Sequence, residues 1–270
     1  MRPINNRNLR RAVNLDALNA ANAAIGSATE TDWDEFLRQH QVEARELRTG
    51  LWAVGSMKCW FSEAILQQGE GHIEHYRPKG RVSGADHIGY KWSTFDWQNL
   101  RLAHPTVNFR KTDFLTKRKM GKGSYFPLRD PGRRANNAAE EINEEPVLLD
   151  PVVASDTFLI CFDEPSGTPR ARKKKDDDKW LYQRAADSIE YYHLNEGTWN
   201  AKRADLMAAV RRLCEQLEEI YVANPRDESA YRRKIDEIVD YINPSAEFSS
   251  ACIQVVRERD LLEHFVTGLS

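Results

Sequence analysis

Hydrophobic positions recur with a helical period near the start of the chain and again in its last third. From about Thr31 the apolar residues fall at steps of three and four, which predicts an amphipathic helix that extends through Leu47. Two stretches in the last third show the same period, and each ends at an Asn-Pro pair. Their apolar positions are Leu206, Val210, Leu213, Leu217 and Ile220, then Tyr231, Ile235, Ile238 and Ile242. A further helix is predicted from about Ala246 to Phe265.

The middle of the chain has short alternating stretches separated by turn residues. Residues 72–74 alternate like a short strand, and Arg-Pro-Lys-Gly at 77–80 then predicts a loop. Aromatic and polar residues alternate over 90–95, which predicts a second strand, and a helix is predicted over 108–116. Two strands, a loop and a helix would form a small ββα unit. We therefore predict an α+β protein in which this unit is embedded among helices.

The composition mainly excludes certain classes of protein. Hydrophobic residues make up 41% of the 270 residues and seven are Trp, which is enough for a buried core. No window approaches the roughly 18 apolar residues of a membrane span, and no apolar run follows the basic start, so we expect a cytoplasmic protein with no membrane partner. The four cysteines form no CxxC pair, which predicts free thiols. Because the net charge is only −2, any nucleic-acid contact must come from a local patch.

Candidate chemistry is concentrated around His75, which follows Glu74 and precedes two asparagines, Asn99 and Asn108. A carboxylate and a carboxamide oxygen can hold a hard divalent cation, while a neutral imidazole accepts a proton from the attacking water. Each residue alone has an ordinary structural interpretation, such as a salt bridge for Glu74 or a helix N-cap for Asn108. Their combination favours a nuclease site.

Three segments resemble the parts of an HNH endonuclease motif. They are HIEH at 72–75, FDWQNL at 95–100 and HPTVNFRK at 104–111. Four further segments add to the resemblance: HYRPK at 75–79, FPL at 126–128, EPVLLDP at 145–151 and YHLN at 192–195. With these, the chain is similar to the HNH subunit of Septu-type phage-defence systems, including those attached to retrons. The similarity covers residues 58–203, about half of the chain.

The resemblance implies a ββα-metal fold, nucleic-acid cleavage during infection and joint action with an ABC-type ATPase. Position by position, it implies that His75 is the general base and that Glu74 and Asn108 hold Mg²⁺ or Mn²⁺. Asn99 matches the asparagine that positions the loop of the base. Lys111, just beyond the last asparagine, would neutralise the scissile phosphate. The predicted catalytic residues are therefore His75, Asn99 and Lys111.

A basic stretch adjoins this site. Between Arg110 and Arg134, nine basic residues occur against two acidic ones, and aromatic residues are interleaved. This pattern is typical of a surface that follows a phosphate backbone, and it is equally typical of a solvated loop. The predicted nucleic-acid contacts are Arg77, Lys79, Arg110, Lys117, Arg118 and Lys119.

Structural zinc is not expected. Many HNH proteins of this kind carry two CxxC pairs that hold zinc, and the matching positions here are Cys59, Ser62, His104 and Val107. Tetrahedral zinc needs Cys or His at every corner, so Ser62 and Val107 are unsuitable. We expect packing by Trp60, Phe61 and Val107 to replace the metal.

The expected organisation has three parts: an N-terminal helical arm (1–57), an HNH nuclease core with its basic loop (58–169) and a C-terminal helical region (180–270). The expected activity is metal-dependent cleavage, of DNA rather than RNA. Two alternatives stay open: a nuclease of structured, tRNA-like RNA, and a catalytically silent nucleic-acid-binding adaptor. No Gly-rich phosphate loop occurs in the sequence, so ATP hydrolysis is assigned to a partner.

Overall fold

The computed structural model describes residues 1–26, 35, 38–67, 69–109, 111–112, 119–223, 225, 227–259 and 261. These residues include the α-helices α1 (Leu15–Gly26), α2 (Gln41–Val54), α3 (Pro105–Asn108), α4 (Ala154–Thr157), α5 (Lys179–Tyr191), α6 (Gly197–Val222), α7 (Glu228–Ile242) and α8 (Ser249–Glu258). They also include the strands β1 (His72–His75), β2 (Leu100–Ala103), β3 (Lys111–Thr112), β4 (Lys119–Met120), β5 (Ile160–Phe162) and β6 (Pro169–Ala171). These strands pair as three two-stranded sheets, and this mixture of helices and small sheets is compatible with the predicted α+β class.

The predicted first strand is present as β1, but its partner is not the stretch at 90–95. Lys91–Ser93 forms a 3₁₀ helix, and β1 pairs antiparallel with β2, so that His75 lies opposite Leu100. The aromatic residues of this stretch pack in the protein interior and do not form a strand. Tyr90 is fully buried in a second apolar cluster with Tyr76 and Phe126, and its side chain does not cover a sheet. The prediction of a strand at 90–95 is therefore wrong.

The helix predicted over 108–116 is also misplaced. Helix α3 begins earlier, because Pro105 suits a first turn and the His104 Nδ1 accepts a hydrogen bond from the Thr106 N–H at 3.1 Å. It ends at Asn108. Residues 111–112 then form β3, which pairs with β4, and residues 113–116 lie outside the described residues.

The helices of the last third confirm the period of their apolar positions. Helices α6 and α7 contain the two predicted stretches, and α8 covers part of the predicted third helix. Carboxylates cap α6 and α7: Glu196 accepts from the Thr198 N–H at 2.9 Å and Asp227 accepts from the Ala230 N–H at 2.9 Å. Helix α6 packs against both α7 and α8. No helix in the described ranges is long and apolar enough to cross a membrane.

The N-terminal segment packs on the same core as the rest of the chain. Leu18 and Ala21 of α1 are buried in the main apolar cluster with Leu102 of β2 and Val256 of α8. The Asn22 Oδ1 accepts a hydrogen bond from the Phe95 N–H at 2.6 Å, which ties α1 to the loop before β2. All three predicted segments thus contribute to one core, and their division into domains stays a prediction.

Candidate active site

Strand β1, helix α2 and the turn at Thr94 surround a cleft of about 370 Å³. Its polar lining residues are Arg48, His72, His75, Lys79, Thr94 and Asn108. The apolar side chains that complete the lining are Ala44, Leu47, Ile73, Phe95 and Leu100. No acidic residue of the described part of the chain lines this cleft, so its charged groups are cationic.

His75 is held in one orientation at the cleft. Its Nε2 lies 3.0 Å from the Thr94 carbonyl oxygen, which can only accept, so Nε2 carries the proton and Nδ1 keeps a free lone pair. Burial lowers the pKa of His75 to about 3, and the positive charge of Lys79 adds to this effect. The ring is therefore neutral at neutral pH, with one nitrogen able to accept a proton.

Asn99 connects the two loops that flank this histidine. Its Oδ1 accepts a hydrogen bond from the Arg77 N–H at 2.8 Å, and its Nδ2 donates to the Arg77 carbonyl at 2.9 Å and the Ser93 carbonyl at 3.2 Å. The side chain is buried, so these bonds replace water completely. These bonds fix the loop after His75 against the loop that contains Ser93.

Glu74 lies on the other face of β1. It is 3% exposed and forms an ion pair with the ammonium group of Lys122, which also donates to the His75 carbonyl oxygen at 2.5 Å. Burial raises the pKa of Glu74, and the charge of Lys122 opposes that rise. The Glu74 carboxylate is bound by Lys122 and does not line the cleft, so the structure does not bring it together with Asn108, which does.

The predicted nucleic-acid contacts have different surroundings. Lys79 lines the cleft. The Arg77 guanidinium forms a 2.7 Å ion pair with Glu144, which opposes a direct phosphate contact. Arg110, Lys117 and Arg118, together with the side chains of Lys111 and Lys119, lie outside the part of the chain that the structure describes.

The four positions that match the zinc-binding cysteines of other HNH proteins take part here in packing and helix capping. Cys59 is buried and its Sγ accepts a hydrogen bond from the Ser62 N–H at 3.4 Å, while His104 caps α3. Trp60, Phe61 and Val107 are buried in the main core. Among the described residues, no group of three or more His, Cys, Asp or Glu side chains is placed to hold a metal.

Sequence reasoning missed three groups at this site: Arg48, the Thr94 carbonyl and Lys122. Arg48 follows Ala44 and Leu47 at helical spacing, so the amphipathic period already placed it on the face of α2 that meets the cleft. Lys122 belongs to the basic stretch, but its partner lies 48 positions earlier in the chain. No sequence signal identified the Thr94 carbonyl.

Comparison with known proteins gives a partial match. No family model matches the chain. Over 115 residues, which is 40% of the chain, it is 30% identical to the Septu protein PtuB of Bacillus mycoides. The match covers 32% of that protein, so the chain spans about a third of the length of this relative.

Proposed function

We propose that this protein is an HNH-type endonuclease that hydrolyses nucleic-acid phosphodiester bonds and acts in antiviral defence. The observation that carries the proposal is His75, a neutral imidazole fixed by the Thr94 carbonyl in a cleft with cationic walls. The strand–strand–helix order of β1, β2 and α3 supports the ββα arrangement. The partial similarity to a Septu protein supports the defence role.

The groups of the cleft suit hydrolysis of an anionic ester. The free Nδ1 of His75 accepts a proton from the attacking water as the new bond to phosphorus forms. The bond from phosphorus to the leaving oxygen breaks, and that oxygen takes a proton from solvent. The guanidinium of Arg48 and the ammonium of Lys79 stabilise the negative charge of the phosphate, and an electrostatic contribution of this kind is often the largest in such reactions. Asn99 keeps the loops around His75 in register.

A divalent cation is part of the proposal. Glu74 and Asn108 supply oxygen donors of the type that Mg²⁺ and Mn²⁺ prefer, and such a cation would stabilise charge on the leaving oxygen. The fit is incomplete, because the Glu74 carboxylate is bound by Lys122 on the opposite face of β1. Binding of a cation by Glu74 therefore requires that this ion pair opens. Structural zinc is not included in the proposal.

The proposed partner is an ABC-type ATPase, as the resemblance to Septu-type systems implies. The proposed substrate is DNA, and structured RNA is the second candidate, since phosphodiester hydrolysis of this kind does not depend on the sugar. An adaptor without activity is the alternative from another functional class.

Cleavage assays separate these candidates. Purified protein is incubated with labelled DNA and labelled structured RNA in Mg²⁺, in Mn²⁺ and in EDTA, with and without the co-encoded ATPase. We expect metal-dependent cleavage of DNA that is strongest with the ATPase present. Preferential cleavage of RNA would support the second candidate. Binding of nucleic acid without cleavage under every condition would identify an adaptor and end the nuclease proposal.

A further inference from the structure

A second cavity lies between β5, α8 and the segment that begins at Arg2. Its volume is about 380 Å³, and it shares no lining residue with the cleft at His75. Three arginines line it: Arg2, Arg172 and Arg257. They come from distant parts of the sequence, so the fold brings three positive charges to one cavity.

The bonds that hold these arginines go to neutral groups. Arg2 donates to the Ile242 carbonyl at 2.6 Å, and Arg172 donates through Nε to the Phe158 carbonyl at 2.8 Å. The Arg257 guanidinium lies 5.2 Å from the centre of the Phe158 ring. These contacts fix the side chains and leave other guanidinium N–H groups of each available to the cavity.

The charges of the three arginines act against each other. Burial lowers the pKa of Arg257, and the neighbouring charge of Arg172 lowers it further. Burial also lowers the pKa of Arg2, while Glu63 opposes this shift and Arg257 adds to it. The Glu63 carboxylate is itself bonded to Ser249 and Ser250. Like charges held close together destabilise one another, and a bound anion in the cavity would offset that cost.

The remaining walls of the cavity combine apolar and aromatic side chains with the polar residues Thr157, Ser250 and Gln254. Phe158 is 46% exposed, which is unusual for a large aromatic side chain, and Ile160, Ile253 and Pro244 lie beside it. The volume falls within the range of small-molecule pockets, about 300–1,000 Å³. An apolar wall with a few convergent charged groups is the usual design of such pockets.

We propose that this cavity binds a nucleoside phosphate, with its phosphate on Arg172 and Arg257 and its base against Phe158 and the neighbouring apolar side chains. Guanidinium groups match phosphate oxygens through paired hydrogen bonds, and an aromatic face stacks on a base. The site is separate from the cleft at His75, so the inference holds or fails independently of the nuclease proposal.

Calorimetric titration of the full chain tests the proposal. ATP, ADP and AMP are titrated in EDTA, beside adenosine and inorganic phosphate as fragments of the same ligand. We expect at least one nucleoside phosphate to bind more tightly than either fragment. Arg172→Gln and Arg257→Gln should each weaken it by about 10-fold or more, since each removes hydrogen bonds to a charged group.

Arg170→Gln is the matched control, because Arg170 lies two positions from Arg172 and does not line the cavity. It should bind the ligand as the wild type does. Melting temperatures of the unliganded variants show that each variant is folded. The proposal is overturned by no detectable binding of any nucleoside phosphate, by equal affinity for inorganic phosphate, or by unchanged affinity in both cavity variants.

Discussion

The two faces of β1 handle charge in opposite ways. On the cleft face, His75 lies with Arg48 and Lys79, and no acidic side chain of the described residues lines that space. On the buried face, Glu74 is matched by the ammonium group of Lys122. His75 therefore belongs to a cationic cleft, which suits an anionic substrate. Its neighbour Glu74 belongs to an interior in which charges are paired, which suits stability.

Two further largely buried ion pairs lie beyond Glu74 and Lys122 on this face. Arg101, opposite Glu74 in the sheet, forms a bidentate pair with Asp150 at 2.6 and 2.7 Å. The Asp150 N–H donates to Asp156, which forms its own bidentate pair with Arg184 of α5 at 2.7 Å. Buried pairs of this kind fix geometry, and breaking one by removing a single partner is costly. The position of β1 is thus set from its buried side.

The largest expected effect is on the cleft face. Replacement His75→Ala removes the proton acceptor and leaves the buried face intact, so the chemical step should slow by about 10²- to 10⁴-fold. Nucleic-acid affinity should change little. Single-turnover cleavage and fluorescence anisotropy measure the two quantities separately.

His87→Ala is the matched control for this prediction. The His87 Nε2 also bonds a backbone carbonyl, that of Ala135 at 2.9 Å, and His87 does not line the cleft. It should retain full activity. An equal loss in both variants would mean that His75 acts through the fold, and full activity in His75→Ala would end the HNH interpretation.

The second-largest expected effect is a loss of stability on the buried face of β1. Lys122→Met leaves the Glu74 carboxylate buried without its cation, which should destabilise the protein by about 3–5 kcal/mol. Urea unfolding measures this loss. Because a divalent cation could then take the place of the ammonium group, Mn²⁺ should raise the melting temperature of the variant more than that of the wild type.

The double variant Glu74→Gln/Lys122→Met sharpens this test, because it leaves no unpaired buried charge. It should regain much of the lost stability and show no stabilisation by Mn²⁺. If Lys122→Met is as stable as the wild type, the ion pair does not hold this face of β1.

A smaller loss of stability is expected from substitution of Asn99, whose side chain joins the loops that flank His75. Asn99→Ala removes the bonds to Arg77 and Ser93 and leaves buried backbone groups without partners, at a cost of about 2–3 kcal/mol. Stability and cleavage should fall together, unlike in His75→Ala. Asn99→Asp keeps the acceptor for the Arg77 N–H but sets a buried carboxylate oxygen against the Arg77 and Ser93 carbonyls, so urea unfolding should show a loss at least as large as that of Asn99→Ala. A variant with normal stability but no activity would place Asn99 in the chemistry.

The local pattern of apolar and polar residues predicted those elements whose apolar side chains have a single structural role. The period of α6 and α7 reports one buried face. The alternation over 72–74 predicted a strand at β1, but its apolar Ile73 is only half-buried and the buried residue is Glu74. The stretch at 90–95 failed because Tyr90 serves a tertiary cluster: it packs against Phe126, and its hydroxyl donates to Glu144 at 2.6 Å. Alternation of residue types cannot distinguish these two uses.

The site was predicted only in part for a related reason. Residue types and spacing singled out His75 and Asn99, and the structure places the Asn99 side chain between the two loops that flank His75. The partner of Glu74 depends on a contact across 48 positions, which no local pattern reports. The EPVLLDP segment has a similar explanation: the Leu148 carbonyl accepts from the Tyr76 hydroxyl at 2.6 Å, so this motif supports the site without lining it.

The smallest expected effect tests whether the cationic wall of the cleft contacts substrate. Arg48 is an exposed residue of α2, so its attraction to a phosphate is weakened by solvent and salt. Arg48→Gln should therefore raise KM by about 3- to 10-fold at low salt, with kcat little changed, and the difference from wild type should shrink as salt rises. Arg45→Gln, on the same helix but outside the cleft lining, is the control and should leave KM unchanged. Steady-state cleavage at two salt concentrations measures this; equal effects of both substitutions would show that α2 contributes only its general charge, and no effect of either would remove α2 from the substrate path.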